Sequence, residues 1–331
     1  MPAITNTLIT DVMTAIFEDL DGVIRDISPT QTPIYSNGTK GTATNAAAHE
    51  WLTDTLREVR NEPAAEGNDT TFDALTQPVR LVNVCQIVDD EGIVSGTANA
   101  VDAAPSSQRE IVRQTIKKGK EVKRDVEAII ACNTIRSNTD PRNLSGLVTY
   151  MTNISIGATG TAPTGDGSDA LVEGTARAFT IELVDTAMQA AFEAGGEPSM
   201  LVMDPQAKTK FSKLNFAGGG TDVAALEASR TAVAPMGSVG AVSRYISDFG
   251  DLDVVPDRFI TPARLTDITN QIVFILDSSM YGTDTLPGRS FMSEPLAKTG
   301  DADKFLTLWE GTLKVHNQGA HACIADLDTT L

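Results

Sequence analysis

With 331 residues and 41% apolar content, the chain can bury a sizeable core in two domains or in one elongated one. Aromatic residues supply only 5% and small polar residues abound, which suits broad contact surfaces better than deep ligand pockets. A formal charge of −18, from 26 basic against 44 acidic side chains, excludes a protein that grips nucleic acid through its phosphates, because that needs positive faces.

Cys85, Cys132 and Cys323 form an odd set without C-x-x-C spacing, so neither a disulfide framework nor a zinc site is indicated. The longest apolar runs, such as Ile272 to Leu276, are too short to span a bilayer, and no basic region followed by an apolar stretch opens the chain. No membrane association is expected.

In chain order, residues 1–28 carry an amphipathic pattern of Leu8, Val12, Ile16 and Leu20, with Ile9, Met13 and Phe17 beside it. It fits a helix on its own domain or an arm packed on a neighbour. From Ser28 to Pro33, and on through SNGTKGTATNAAA, prolines and turn residues predict an extended strap across a surface. His49–Arg60 fits a helix through Trp51, Leu52, Thr55, Leu56 and Val59, and a strand through Trp51, Thr53 and Thr55; periodicity alone favours the helix. A polar segment follows, and then Val79–Val88 is strand-like by its β-branched content. Two such limbs joined by polar chain could form a long protruding hairpin.

Ser106–Arg136 is the longest helical pattern. Ser106 or Ser107 can cap its start, and Ile111, Thr115, Val122, Val126, Ile129 and Ile130 recur at spacings of three and four. A rod of that length would run roughly 45 Å at 1.5 Å per residue, enough to brace a flat molecule. Its basic residues Arg109, Arg113, Lys117, Lys118, Lys120, Lys123 and Arg124 stand out in an acidic chain. Interleaved with Glu110, Glu121, Asp125 and Glu127, they read first as a salt-bridging face, and otherwise as a surface for a neighbouring acidic copy.

Gly157–Asp169 invites a phosphate-loop reading but lacks lysine and any G-x-x-x-x-G-K-[ST] pattern, so a flexible surface loop is expected. Leu171–Ala194 predicts a helix stopped by Gly195-Gly196, Ser199–Met203 a buried strand, and Asp204-Pro205 the start of a further helix ending near Phe216. From Val239 the pattern turns to strands: two around Phe249-Gly250-Asp251, a central one at QIVFILD, and a closing pair, 305–315 and its return through AHACIADL.

No catalytic pattern emerges. His49, His316 and His321 make no H-E-x-x-H, a G-x-S-x-G elbow is absent, and the pairs Asp251/Asp253, Asp301/Asp303 and Asp326/Asp328 do not continue into a calcium loop. No catalytic, metal or cofactor residue is therefore assigned, and no enzyme is expected.

Several blocks nevertheless resemble one family. They are ISPTQTPIYS (Ile27–Ser36), ATNAAAHEWLTDTL (Ala43–Leu56), ISDFGDLDVVPDRF (Ile246–Phe259), FILDSSMYGTD (Phe274–Asp284) and, most specific, Pro295–Leu327. The chain resembles the major capsid proteins of tailed bacteriophages with the Hong Kong 97-type fold, and more narrowly a podovirus major-capsid-like family.

That resemblance implies an α+β subunit with an N-terminal arm (1–48), an extended hairpin loop (49–98), a peripheral domain (99–190) holding the spine helix 106–136, an axial domain (191–284) and return strands (285–331). It overrides the helix at His49–Arg60. It also implies hexamers and pentamers of an icosahedral shell, assembled in host cytoplasm into a virion that surrounds double-stranded DNA without binding it specifically. Scaffolding, portal and decoration proteins become expected partners. Some relatives carry an extra N-terminal scaffold segment; here the arm begins almost at Met1, so a separate scaffold or a mature chain is expected. Candidate inter-subunit contacts are Ile16, Phe17, Trp51, Leu56, Arg80, Arg113, Lys117, Lys120 and Arg124. The competing readings are an encapsulin-like compartment shell and a soluble α/β enzyme using the 157–169 loop.

Overall fold

The computed structural model describes residues 28–328 apart from 44, 58, 62, 64, 65, 68, 70, 71, 73, 101–109, 217–241 and 267. A short helix α1 (Pro33–Asn37) leads into strands β1 (Thr39–Thr42), β2 (His49–Thr53), β3 (Val79–Asn83) and β4 (Gln86–Ser95). Helices α2 (Gly96–Ala100) and α3 (Glu110–Ala131) follow, then β5 (Asn153–Ser155), β6 (Arg177–Ala178), α4 (Ile181–Glu193), β7 (Met200–Met203) and α5 (Pro205–Phe216). The chain closes with β8 (Arg244–Ser247), β9 (Gly250–Pro256), β10 (Gln271–Leu276), β11 (Tyr281–Thr285), β12 (Met292–Leu296), β13 (Ala302–Val315) and β14 (Ala322–Asp328).

These strands form a five-stranded sheet around β13, a seven-stranded sheet ordered β5-β14-β10-β7-β9-β8 with β6 also on β14, and the β2–β3 pair. In the first sheet β4 runs antiparallel along one edge of β13, from Ala302 to Gly311. The other edge takes β11 opposite Gly311–Val315 and then β12 opposite Lys304–Leu308. Gly92 lies opposite Phe305, and a Cβ there would sit 2.3 Å from the phenyl ring, so the strand carries glycine where the ring crosses it.

The seven-stranded sheet has both faces covered, which is why its central strands read MLVM, IVFIL and ACIADL instead of alternating polar and apolar. Period-two geometry divides those runs between two cores. Met200, Val202, Ile272, Phe274 and Leu276 pack toward α3 and the first sheet, whereas Leu201, Met203, Val273 and Ile275 pack under α4 and α5. Along β14 the alternation breaks once. Cys323 and Ala325 face the first core, but Leu327 joins Ile324 in the second. The register against β10 shifts at this point, and Asp326 has φ +58. An extra residue in the strand thus turns Leu327 over.

Helix α3 buries Val122, Val126, Glu127, Ile130 and Ala131, all in its second half, while its first half lies along β4. It ends at Ala131, five residues before the expected Arg136, because Asn133 turns away to pair with the backbone of Leu171. Its Nδ2 donates to the Leu171 carbonyl and its Oδ1 accepts the Leu171 N–H, both at 2.8 Å. At 22 residues the rod measures about 33 Å; residues 106–109 lie outside the described part.

Other expectations change as well. The helix favoured by periodicity over His49–Arg60 is instead strand β2, because cross-strand pairing with β3 outweighs local pattern. Regular structure over Leu171–Ala194 is helical only from Ile181, closing on Gly195 at φ +82 as its spacing predicts. Strands β13 and β14 do not pair: the turn at 317–319 passes the chain from one sheet to the other, so the return segment 285–331 serves both. The 157–169 loop is tied down, with Gly167 accepting from Ser145 Oγ at 3.0 Å and from the Arg136 N–H at 3.3 Å. The strap is buried over residues 32–35, with Thr32, Ile34 and Tyr35 all under 10% exposed, whereas Thr39–Thr42 is exposed.

Where the strap meets the sheet, Trp309 is fully buried beside Tyr35 and Phe291, at ring distances of 6.5 and 6.4 Å. Trp309→Ala should therefore lower stability by about 3–5 kcal/mol, read from urea unfolding of the unassembled chain.

Candidate assembly surfaces

The hairpin β2–β3 is rooted in the body by polar bonds that the strand pattern alone does not announce. Trp51 is 7% exposed; its Nε1–H donates to the Val315 carbonyl at 2.7 Å, and its ring lies 5.7 Å from that of Tyr150. The Tyr150 hydroxyl donates to the Val82 carbonyl at 2.8 Å. Asn83, with no exposed surface, donates to the Leu313 carbonyl at 2.9 Å and accepts the Ser145 N–H at 2.9 Å. The His49 imidazole lies 2.8 Å from the Asp284 carboxylate and, by that close approach, holds the carboxyl below its ordinary range.

Past Thr53 and Val79 the pairing stops and the character inverts. Leu56 is 99% exposed and Phe72 94%, with Val59 and Leu75 nearly as open and Leu52 and Val79 more than half exposed. An isolated exposed leucine means nothing, but here every described residue from 54 to 78 is exposed, so these side chains make an apolar surface with no core beneath it among the described residues. Pairing within the hairpin joins 49–53 to 79–83, and 86–95 pairs in the five-stranded sheet.

Trp51 and Leu56, both candidates for inter-subunit contact, thus part company. Trp51 is an internal anchor of the hairpin root, whereas Leu56 faces outward. Arg80 pairs with Glu50 across the hairpin at 3.2 Å, largely in solvent, a contact worth about 0–1 kcal/mol. Ile16 and Phe17 lie outside the described residues.

The basic residues of α3 are mostly engaged within the chain. Arg113 Nε donates to Glu110 at 2.9 Å, and this contact, helped by Gln114, holds the Glu110 carboxyl down to about 2. Lys117 stands 3.9 Å from Glu121, Lys118 reaches Asp90 at 2.9 Å and Glu121 at 3.0 Å, and the Arg124 guanidinium lies 5.3 Å from the Phe259 ring centre. Only Lys117 and Lys120 of the candidates here are chiefly exposed.

Residues that the sequence reading passed over also face out. On β4, Ile87 and Ile93 are exposed while Val88 and Val94 are buried, and on α3 Val112 and Ile116 are about half exposed. The alternation of β4 was visible, but only knowing which face meets α3 assigns its outer side. Among the described residues no three His, Cys, Asp or Glu side chains are grouped to hold a metal ion, and no helix is long and apolar enough to cross a membrane.

The family model described as SU10 major capsid protein matches residues 3–328, and the chain belongs to that family. Over 113 residues it is 35% identical to the major capsid protein of Escherichia phage Phieco32, a match covering 34% of this chain and about a third (32%) of that relative's length. Among solved structures, the capsid asymmetric unit of cyanophage A-1(L) is similar with a TM-score of 0.60 at 12% identity, over 98% of this chain and 99% of the other. The holo-SrpI encapsulin complex from Synechococcus elongatus PCC 7942 is similar with a TM-score of 0.52 at 12% identity, over 93% and 94% of the two chains. The architecture is that of the Hong Kong 97-type capsid fold.

The inward and outward residues of the hairpin should separate in a stability measurement. Trp51→Ala is expected to cost about 3–5 kcal/mol in unfolding of the unassembled chain, and Leu56→Ala less than about 0.5 kcal/mol.

Proposed function

We propose that this member of the SU10 family is the structural subunit of a tailed-phage head, assembling as hexamers and, at vertices, pentamers into an icosahedral shell around double-stranded DNA. One observation carries the proposal beyond family membership. The chain holds Leu56, Val59, Phe72 and Leu75 in water on a segment whose root is fastened rigidly to the body. Each such side chain gains roughly 1.5–3 kcal/mol on full burial. Ordering the loop and losing rotational freedom consume part of that, so the contact is modest singly and cumulative over a shell.

A neighbouring copy is the occupant that this reading supplies, with the outward loop clasping it and the axial part, roughly 191–284, meeting its copies at the capsomer centre. Scaffolding, portal and decoration proteins complete the partners that a virion assembled in host cytoplasm implies. The charge of −18 favours a wall that surrounds the genome without gripping it.

Electron microscopy of the purified protein should show uniform icosahedral shells. Leu56→Asp combined with Phe72→Asp should leave the unfolding midpoint almost unchanged, since both positions are exposed, and abolish those shells. Shells of unchanged yield from that variant, or a monomer at every concentration in the parent protein, would overturn the proposal. Shells that copurify with protein cargo in place of genome would point instead to a compartment of the encapsulin kind. Isolated capsomers are further expected to leave duplex DNA unshifted on a native gel even at low salt, where electrostatic binding is strongest.

A further inference from the structure

Helix α3 carries a carboxylate where its spacing asks for an apolar side chain. Glu127 lies on the buried stripe beside Val122, Val126 and Ile130 and has no exposed surface. Its oxygens accept the N–H groups of Ile34 at 2.7 Å and Tyr35 at 2.6 Å, the first-turn amides of α1. Thr32 makes no side-chain cap there, so a residue far along the chain caps α1 instead.

A second carboxyl meets the first. Asp257, just past β9, is 1% exposed; its Oδ1 accepts the Phe259 N–H at 2.9 Å. Its Oδ2 finds no donor among the described residues, and the Asp257 and Glu127 carboxyl groups lie within interaction distance of each other. Two carboxyl groups at that range away from water cannot both be ionised, and one proton between them supplies the donor that Oδ2 lacks.

The surrounding charges do not remove that requirement. On the strap, the Lys40 ammonium sits 3.4 Å from the Tyr35 ring centre. On α3, Lys123 is 5.9 Å from the same ring, and Arg124 lies over the Phe259 ring, as does Arg264 at 5.4 Å. From β11, the Tyr281 hydroxyl donates to the Ile34 carbonyl at 2.9 Å. None of these cations forms a hydrogen-bonded ion pair with either carboxyl among the described contacts. Burial first, and then the charge of Asp257, push Glu127 up to about 8, and burial likewise raises Asp257.

We propose that residues 32–42 are fastened to the body by a shared proton: Glu127 and Asp257 hold one between them while Ile34 and Tyr35 are docked, and its loss loosens the strap. This device belongs to the single subunit and does not depend on how copies assemble.

The direction follows from linkage. Undocked, Glu127 meets water and titrates near the ordinary 4.5; docked, it titrates near 8. The docked state therefore holds more protons between those values, so docking is strongest below the first and fades as pH rises through the second. Burial also draws the Lys40 ammonium down to about 8, so below that pH it is charged in both states and leaves the slope alone.

Hydrogen exchange on the purified protein tests this at the Ile34 and Tyr35 amides, with the core amide of Phe274 as reference. Their protection, relative to Phe274, should fall by up to about tenfold per pH unit between pH 5.5 and 7.5 and stop falling once Glu127 and Lys40 titrate near 8. Asp257→Asn places an amide donor against Glu127 and removes the second charge, so the fall should shrink, while burial of Glu127 keeps part of it. Infrared spectra of the parent protein at pH 7 should contain a protonated carboxyl band that Glu127→Gln removes. Equal protection across the range, or an undiminished slope in Asp257→Asn, would overturn the proposal; should that variant not fold, the parent's profile and its infrared band decide the matter.

Discussion

Both sheets are built on one continuous segment, Ala302–Asp328, and the rest of the subunit is placed by the side of it that each element meets. Strand β13 takes β4 on one edge and β11 with β12 on the other, while β14 takes β10 on one side and β5 with β6 on the other. The turn between them is held by short polar bonds: Asn153 Nδ2 donates to the Gly319 carbonyl at 2.7 Å, and the Thr152 N–H to that of Gln318 at 3.3 Å. His321, wholly buried just after the turn, accepts the Asp277 N–H at 3.2 Å, and burial draws it down to about 4, so it stays a neutral acceptor. The two sheets consequently cannot shift independently without breaking bonds at this corner.

Much of this could be read from the sequence because burial on both faces leaves a plain mark. The runs around Met200–Met203, Gln271–Leu276 and Ala322–Asp328 are apolar throughout, and the cap at Asp204, whose Oδ1 accepts the Ala207 N–H at 2.7 Å, sits where the Asp-Pro pair announces it. What stayed hidden depends on partners distant in the chain. A strand that pairs with distant parts of its own chain carries no local sign of its partner, so β13 and β14 read as a hairpin although they enter different sheets. The early end of α3 rests on Asn133 meeting Leu171, and the flip of Leu327 on one extra residue at Asp326. Of the candidate contacts, Leu56 was legible as an apolar residue in polar surroundings. Trp51 looked the same from sequence, and only the Val315 carbonyl tells it apart.

The two extensions of the subunit differ in where their energy lies. The strap runs parallel to β11 from Thr39 to Thr42, closes over Trp309 with Tyr35, and satisfies its first amides on Glu127. Its β1 is the exposed edge strand of its sheet, but its first part, residues 32–35, is buried within the chain. Between β2 and β3 the opposite holds: a root locked by Trp51 and Asn83 carries apolar side chains that nothing in the described chain covers. A rigid root limits the orientations of the outer part, so less entropy is lost when it is covered, and a small apolar area becomes sufficient to hold.

A carboxyl at position 127 is a poor choice for packing alone, since an apolar side chain of similar volume usually suits a helix–sheet interface as well or better. It would, however, leave the Ile34 and Tyr35 amides without acceptors inside the protein, at about 1–3 kcal/mol for each buried orphan. Apolar contacts would let the strap slide, because they are non-directional. Two N–H groups aimed at the two oxygens of one carboxyl allow a single register, and Gly41, where a Cβ would lie 2.2 Å from an Asp284 oxygen, admits β1 only at that same register beside β11. The body is thus specified by alternating apolar side chains and the strap by a buried acid, so the strap's position is fixed by polar geometry more than by buried area.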